Sequence, residues 1–133
     1  MRYMLDTNIC IYLLKGHSLS VLSRLANQDF GDVVMSCLTL AELQRGMGRQ
    51  EGETRRADEA ALELLLNDVI ALDFDANAAH VFGVMGSRFA LSRTRAIDNL
   101  IAAHAISQQA VLVTNNEKDF KGYPNLRVEN WAT

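Results

Sequence analysis

The chain has 133 residues, of which 49% are hydrophobic and 22% charged, a composition that excludes a disordered or fibrous protein and allows a single domain, 1–133. Its 13 basic and 16 acidic side chains give a net charge of −3, which excludes a polyanion binder relying on bulk positive charge. The two cysteines, Cys10 and Cys37, lie among apolar residues and read as core side chains of a reduced, cytoplasmic protein rather than a disulfide or zinc framework.

In chain order, Asp6 interrupts what would be the apolar core of a signal peptide, and no apolar run approaches bilayer-spanning length. Residues 2–5, 33–36, 69–72 and 110–113 read as short buried strands, with 126–128 as a weaker fifth. Between them lie helical periods. Ala57, Ala60, Ala61, Leu64 and Leu65 form one stripe, and Ala78, Phe82, Met85 and Phe89 form a second with Asp75 as its N-cap. Ile97, Leu100, Ile101, His104 and Ala105 form a third. Segment 46–56, rich in Gly, Arg and Glu, is expected as an exposed turn or arm between two helices. Strands alternating with helices and lacking hairpin turns imply an α/β sandwich around a parallel sheet.

Open parallel sheets bind ligands beyond the carboxyl ends of their strands. Asp6 follows the first strand, Glu42 lies one helical turn beyond the second, and Asp119 follows the fourth. Asp98 opens the helix feeding that fourth strand. Four carboxylates gathered at one edge are costly unless cations neutralise them, and such hard oxygen donors select Mg²⁺ or Mn²⁺. Each acid also has a purely structural role open to it. Asp6 fits a helix N-cap, Glu42 fits a capping box with Thr39, Asp98 suits a helix first turn, and Asp119 fits a solvated loop. His104 lies on an apolar stripe and reads as a core residue, and His17 and His80 have no convergent partners.

The segments Met4-Leu5-Asp6-Thr7-Asn8-Ile9-Cys10-Ile11, Ser36-Cys37-Leu38-Thr39-Leu40-Ala41-Glu42-Leu43, Asp98-Asn99-Leu100-Ile101-Ala102-Ala103-His104-Ala105, and Val113-Thr114-Asn115-Asn116 followed by Asp119-Phe120 resemble, in order and spacing, motifs of VapC-type ribonuclease toxins of the PIN-domain family. The closing Arg127-Val128-Glu129-Asn130-Trp131 is similar too, so the resemblance runs the length of the chain. It implies a PIN-like α/β/α sandwich and a Mg²⁺-dependent endoribonuclease with Asp6, Glu42, Asp98 and Asp119 as its acidic quartet. Thr7 or Asn8 and Thr114 or Asn116 would support the acids by hydrogen bonds, and Glu117 is an alternative to Asp119 as the fourth. It also implies a VapB-type antitoxin partner and tRNA, initiator tRNA included, as substrate. One departure stands out: Arg93-Thr94-Arg95-Ala96-Ile97 precedes Asp98 where many relatives have a turn containing Gly or Pro.

RNA hydrolysis needs an activated water and a stabilised leaving oxygen, and a divalent ion lowers the pKa of water and screens the phosphate. Asp6 and Asp98 are the expected direct ligands, with Glu42 and Asp119 holding waters or a second ion. Arg45, Arg49, Arg88, Arg93 and Arg95 are candidates for a rim that positions RNA phosphates. Apolar helical stripes on a small domain, together with the resemblance, point to a homodimer. A phosphatase with Asp6 as nucleophile lacks a second Asp, since Asn8 stands at that position. A silent PIN-like protein-binding module is disfavoured because all four acids are present.

Overall fold

Apolar stretches of three or four residues hold together as strands only when both of their faces are covered, and that is how this chain uses them. A computed structural model describes residues 1–88, 91 and 93–132, the side chain of Arg88 excepted. Strand β1 (Tyr3–Leu5) leads into helices α1 (Thr7–Lys15) and α2 (Leu19–Ala26), then β2 (Val33–Ser36), α3 (Cys37–Met47) and α4 (Gly52–Asp68). Strand β3 (Ile70–Leu72), α5 (Ala76–Arg88), a 3₁₀ turn (Arg93–Arg95) and α6 (Ala96–Ser107) follow, and β4 (Val111–Val113), α7 (Glu117–Phe120) and β5 (Arg127–Glu129) complete the order.

All four strand pairings are parallel, in the order β3-β2-β1-β4-β5. The chain runs outward from β1 to β3, then returns to place β4 on the other side of β1. This reversal puts a crevice beyond the carboxyl ends of β1 and β4, where open α/β sheets bind their ligands.

Side-chain alternation along the strands divides the core in two. Leu5, Val33, Met35 and Val113 face α1 to α4 together with Ile9, Leu43, Leu62 and Leu65. Met4, Val34 and Leu112 face the opposite layer with Met85, Ile101 and Phe120. The expected α/β/α sandwich is therefore present, and each expected strand lies within a residue of its observed position.

Three details differ from the sequence reading. In α4 the buried face is Leu62 and Leu65, whereas Leu64 is 68% exposed and Ala57 and Ala60 are exposed. Alanines carry little burial energy, so the larger leucines set the phase. Most of 46–56 is helical, the break between α3 and α4 being confined to residues 48–51. Phe89, assigned to the α5 stripe, lies outside the described residues; Asp75 does cap that helix, accepting from the Ala78 amide at 3.0 Å. Gly16 ends α1 in a left-handed conformation (φ 65°), which a side chain would oppose. Among the described residues no helix is long and apolar enough to cross a membrane.

Trp131 closes the first core face. It is fully buried, its ring lies 5.2 Å from that of Tyr3, and the Arg24 guanidinium sits 5.2 Å from its centroid. Its indole N–H donates to Glu129 at 3.1 Å, and its carbonyl accepts from Ser20 on α2 at 2.8 Å. Trp131→Ala is expected to destabilise the fold by about 3–5 kcal/mol, the range for deleting a large buried aromatic, read as a lower urea midpoint at unchanged slope.

Candidate active site

Asp6 is the residue immediately after β1, and its extended backbone makes it the N-cap of α1. The carboxylate accepts from the Ile9 amide at 2.9 Å and hydrogen-bonds the Thr114 side chain beyond β4. The capping role open to Asp6 is thus fulfilled, and it fixes the carboxylate in the crevice. Only 5% of the residue is exposed. Burial pushes its pKa from 3.8 up to about 6; the bonds from Thr114 and Ile9 oppose this, while the charges of Asp98 and Glu42 add to it.

Glu42 reaches the same crevice from α3. The capping box expected with Thr39 is absent, because Ser36 caps α3 instead, accepting from the Leu38 amide at 3.1 Å. Thr39 is consequently inside the helix, and Glu42 is left to receive the Thr7 hydroxyl at 2.6 Å. Thr7 is also 3.3 Å from the Thr39 hydroxyl.

Asp98 occupies the first turn of α6. Burial raises its pKa, the Arg95 guanidinium opposes the rise, and the charges of Glu42 and Asp119 add to it. Asp119 is exposed on α7. The four acids thus interact as one electrostatic cluster drawn from four separate segments. Glu117, also exposed on α7, does not figure among the charges acting on Asp98.

The supporting residues divide unevenly. Thr7 and Thr114 turn toward the acids, whereas Asn8 and Asn116 are exposed. Asn115, overlooked in the sequence, is half-buried and donates to the Tyr12 hydroxyl at 2.6 Å. His104 is a fully buried core residue, as expected, with Nδ1 2.8 Å from the Ser36 hydroxyl and its ring edge-on to Phe74. That contact ties α6 to the start of α3, the two helices carrying Asp98 and Glu42. Burial lowers its pKa, which keeps it neutral. Cys10 is buried, Cys37 half-buried, and both are free thiols.

Of the arginines, Arg45, Arg49 and Arg93 are exposed, and Arg88 ends α5. Arg95 is half-buried and folds toward Asp98 and α7. Its Nη2 donates to the Asp119 carbonyl, its Nε lies 3.8 Å from Asp98 Oδ2, and its guanidinium covers the rings of Phe120 and Tyr123. Tyr123 in turn donates to Asn99, the residue after Asp98.

Among the described residues no three acid, His or Cys groups stand together in a way that holds one ion. The donor set nevertheless fits a hydrated hard cation. Mg²⁺ retains several waters and takes only one or two carboxylates directly, leaving the other acids to act through water.

A profile of the PIN domain matches residues 3–126. Ribonuclease VapC2 of Rickettsia felis is 38% identical over 138 aligned residues covering 98% of each chain. A tRNA(fMet)-specific endonuclease VapC of Shigella flexneri is 34% identical over 99% of each. Among solved structures, the matching chain of VapBC2 from Rickettsia felis, bound to a DNA fragment from its promoter, gives a TM-score of 0.82 at 35% identity. The match covers 98% of this chain and 99% of that one.

The Asp6 environment predicts an unusual pH profile. Because the folded pKa is raised to about 6 from 3.8, the stabilising contribution of neutral Asp6 is complete below about pH 4 and lost as pH rises through 6. Asp6→Asn keeps a capping oxygen and removes the charge. It should therefore stabilise the metal-free protein at pH 7.5 by about 2–3 kcal/mol, with the gain vanishing toward pH 4. Urea titrations at both pH values check this.

Proposed function

The chain belongs to the PIN-domain family, and on that premise we propose that it is a metal-dependent endoribonuclease, the toxin of a toxin–antitoxin pair. The observation that carries the reading is the buried Asp6 carboxylate at the reversal of the sheet, electrostatically joined to Glu42 and Asp98. Burial and the neighbouring acids raise the cost of ionising Asp6 and Asp98 and so favour a cation.

Mg²⁺ is the assigned ion, with Mn²⁺ as a substitute. Asp6 and Asp98 hold it directly, and Glu42 and Asp119 act through water; the coupling of Asp119 to Asp98 supports Asp119 over Glu117 as the fourth acid. When bound, the ion supplies an acidified water and neutralises phosphate charge. The chain's own residues orient the groups around it. Thr7 fixes the Glu42 carboxylate, Thr114 and the Ile9 amide fix Asp6, and the exposed Arg45, Arg49 and Arg93 are assigned as contacts to RNA phosphates. The side chain of Arg88, the remaining candidate, lies outside the described residues.

The protein works in the cytoplasm, consistent with its two free thiols, as a homodimer held in check by a VapB-type antitoxin. The similarity to the tRNA(fMet)-specific enzyme of Shigella flexneri supports tRNA, initiator tRNA in particular, as substrate.

Purified protein should cut tRNA in Mg²⁺ or Mn²⁺ and not in excess chelator. Asp6→Asn should lower the rate on the order of 10²-fold or more, the scale of losing one electrostatic stabiliser of a transition state, while remaining folded. Equal cleavage with chelator, or by Asp6→Asn at saturating metal, refutes the metal-ligand assignment. Light scattering at micromolar concentration should give twice the chain mass, and a monomer mass refutes the homodimer.

A further inference from the structure

Arg95 stands where helix electrostatics disfavour a cation. It is the N-cap residue of α6 and makes no side-chain capping bond, so its charge lies beside the positive end of the helix. Its surroundings offset that cost. Asp98 lies one turn on, the Asp119 carbonyl accepts from Nη2, and the rings of Phe120 and Tyr123 lie 5.7 and 6.0 Å from the guanidinium carbon. The same guanidinium opposes the rise in the Asp98 pKa that burial and the other acids produce.

The attachment to the acid is loose. The closest nitrogen–oxygen approach to Asp98 is 3.8 Å, Nε is buried without a hydrogen-bond partner, and the two side chains are 31% and 43% exposed. A planar guanidinium committed to a carboxylate makes two short parallel bonds. Here it rests instead on an aromatic shelf within reach of Asp98, able to neutralise that acid and to leave it.

Resting on the nuclease reading above, we propose that Arg95 is a built-in competitor of the catalytic metal. Its guanidinium supplies positive charge beside Asp98 and is displaced from there when a divalent ion binds. Arg95 is thus a positioning residue for the acids, and the metal requirement of the enzyme is set partly by a side chain of its own.

The test is Mn²⁺ titration calorimetry on the full chain without RNA, comparing wild type with Arg95→Gln and Arg95→Lys, alongside tRNA cleavage. Arg95→Gln should bind Mn²⁺ about two- to fivefold more tightly, the scale of a partly exposed ion pair. Its thermal midpoint should rise more on Mn²⁺ saturation than that of wild type. Arg95→Lys, which keeps the charge, should stay close to wild type in affinity and controls for local packing. Unchanged or weaker Mn²⁺ binding by Arg95→Gln, with metal-dependent cleavage of RNA intact, overturns the competition while leaving the nuclease reading in place; a rise confined to the KM for RNA would then mark Arg95 as a phosphate contact. If wild type and both variants neither bind Mn²⁺ nor cleave RNA, the nuclease reading fails and the competition with it.

Discussion

The carboxylate of Asp6 lies buried where the sheet reverses direction, and the neighbouring architecture serves to hold it there. An ionised carboxyl out of water is costly, and the helix N-terminus and the Thr114 hydroxyl offset only part of that cost. The remainder is a standing demand for positive charge. The inner parallel strands β1, β2 and β4, covered on both faces, supply the rigidity that keeps the group from relaxing into solvent.

The other acids are delivered by helices rather than by the sheet itself, and their placement depends on contacts between elements. The His104–Ser36 contact holds the starts of α3 and α6 in relation, and the Thr7 hydroxyl captures Glu42 across from α1. A residue that chelates nothing, His104, thereby helps decide where two carboxylates stand. Burial disfavours its charged form, against the opposing charges of Asp75 and Asp73.

The sheet was legible in the sequence because five short apolar runs separated by amphipathic stretches admit few arrangements. Asp6, Glu42 and Asp119 were candidates because they follow those runs, and Asp98 because it opens the helix before the fourth. The phase of α4 was not, since three of the five residues used to set it were alanines, and Leu64 proved exposed while Leu62 did not. Glu42 fitted a capping box until Ser36 took the cap, a matter of where one helix begins by three residues. The inward fold of Arg95 was invisible for a different reason: it depends on Asp119, Phe120 and Tyr123, which come to it through tertiary packing alone. Exposed Asn116 and half-buried Asn115 were indistinguishable for the same reason.

The pairing of β1 with β4 joins Tyr3–Leu5 to Val111–Val113, so the central contact of the sheet closes a loop of roughly a hundred residues. Contacts so distant along the chain are made late in folding, because the entropy of closing the loop precedes any reward from pairing. A chain emerging from the ribosome carries Asp6 from the beginning, yet Thr114 and Asp119 are added only after α6 has been made. A nascent fragment that already displays three of the acids therefore has no β4 to set beside β1 and no crevice in which to gather them. Topology alone postpones the assembly of the site until β4 and α7 have been translated.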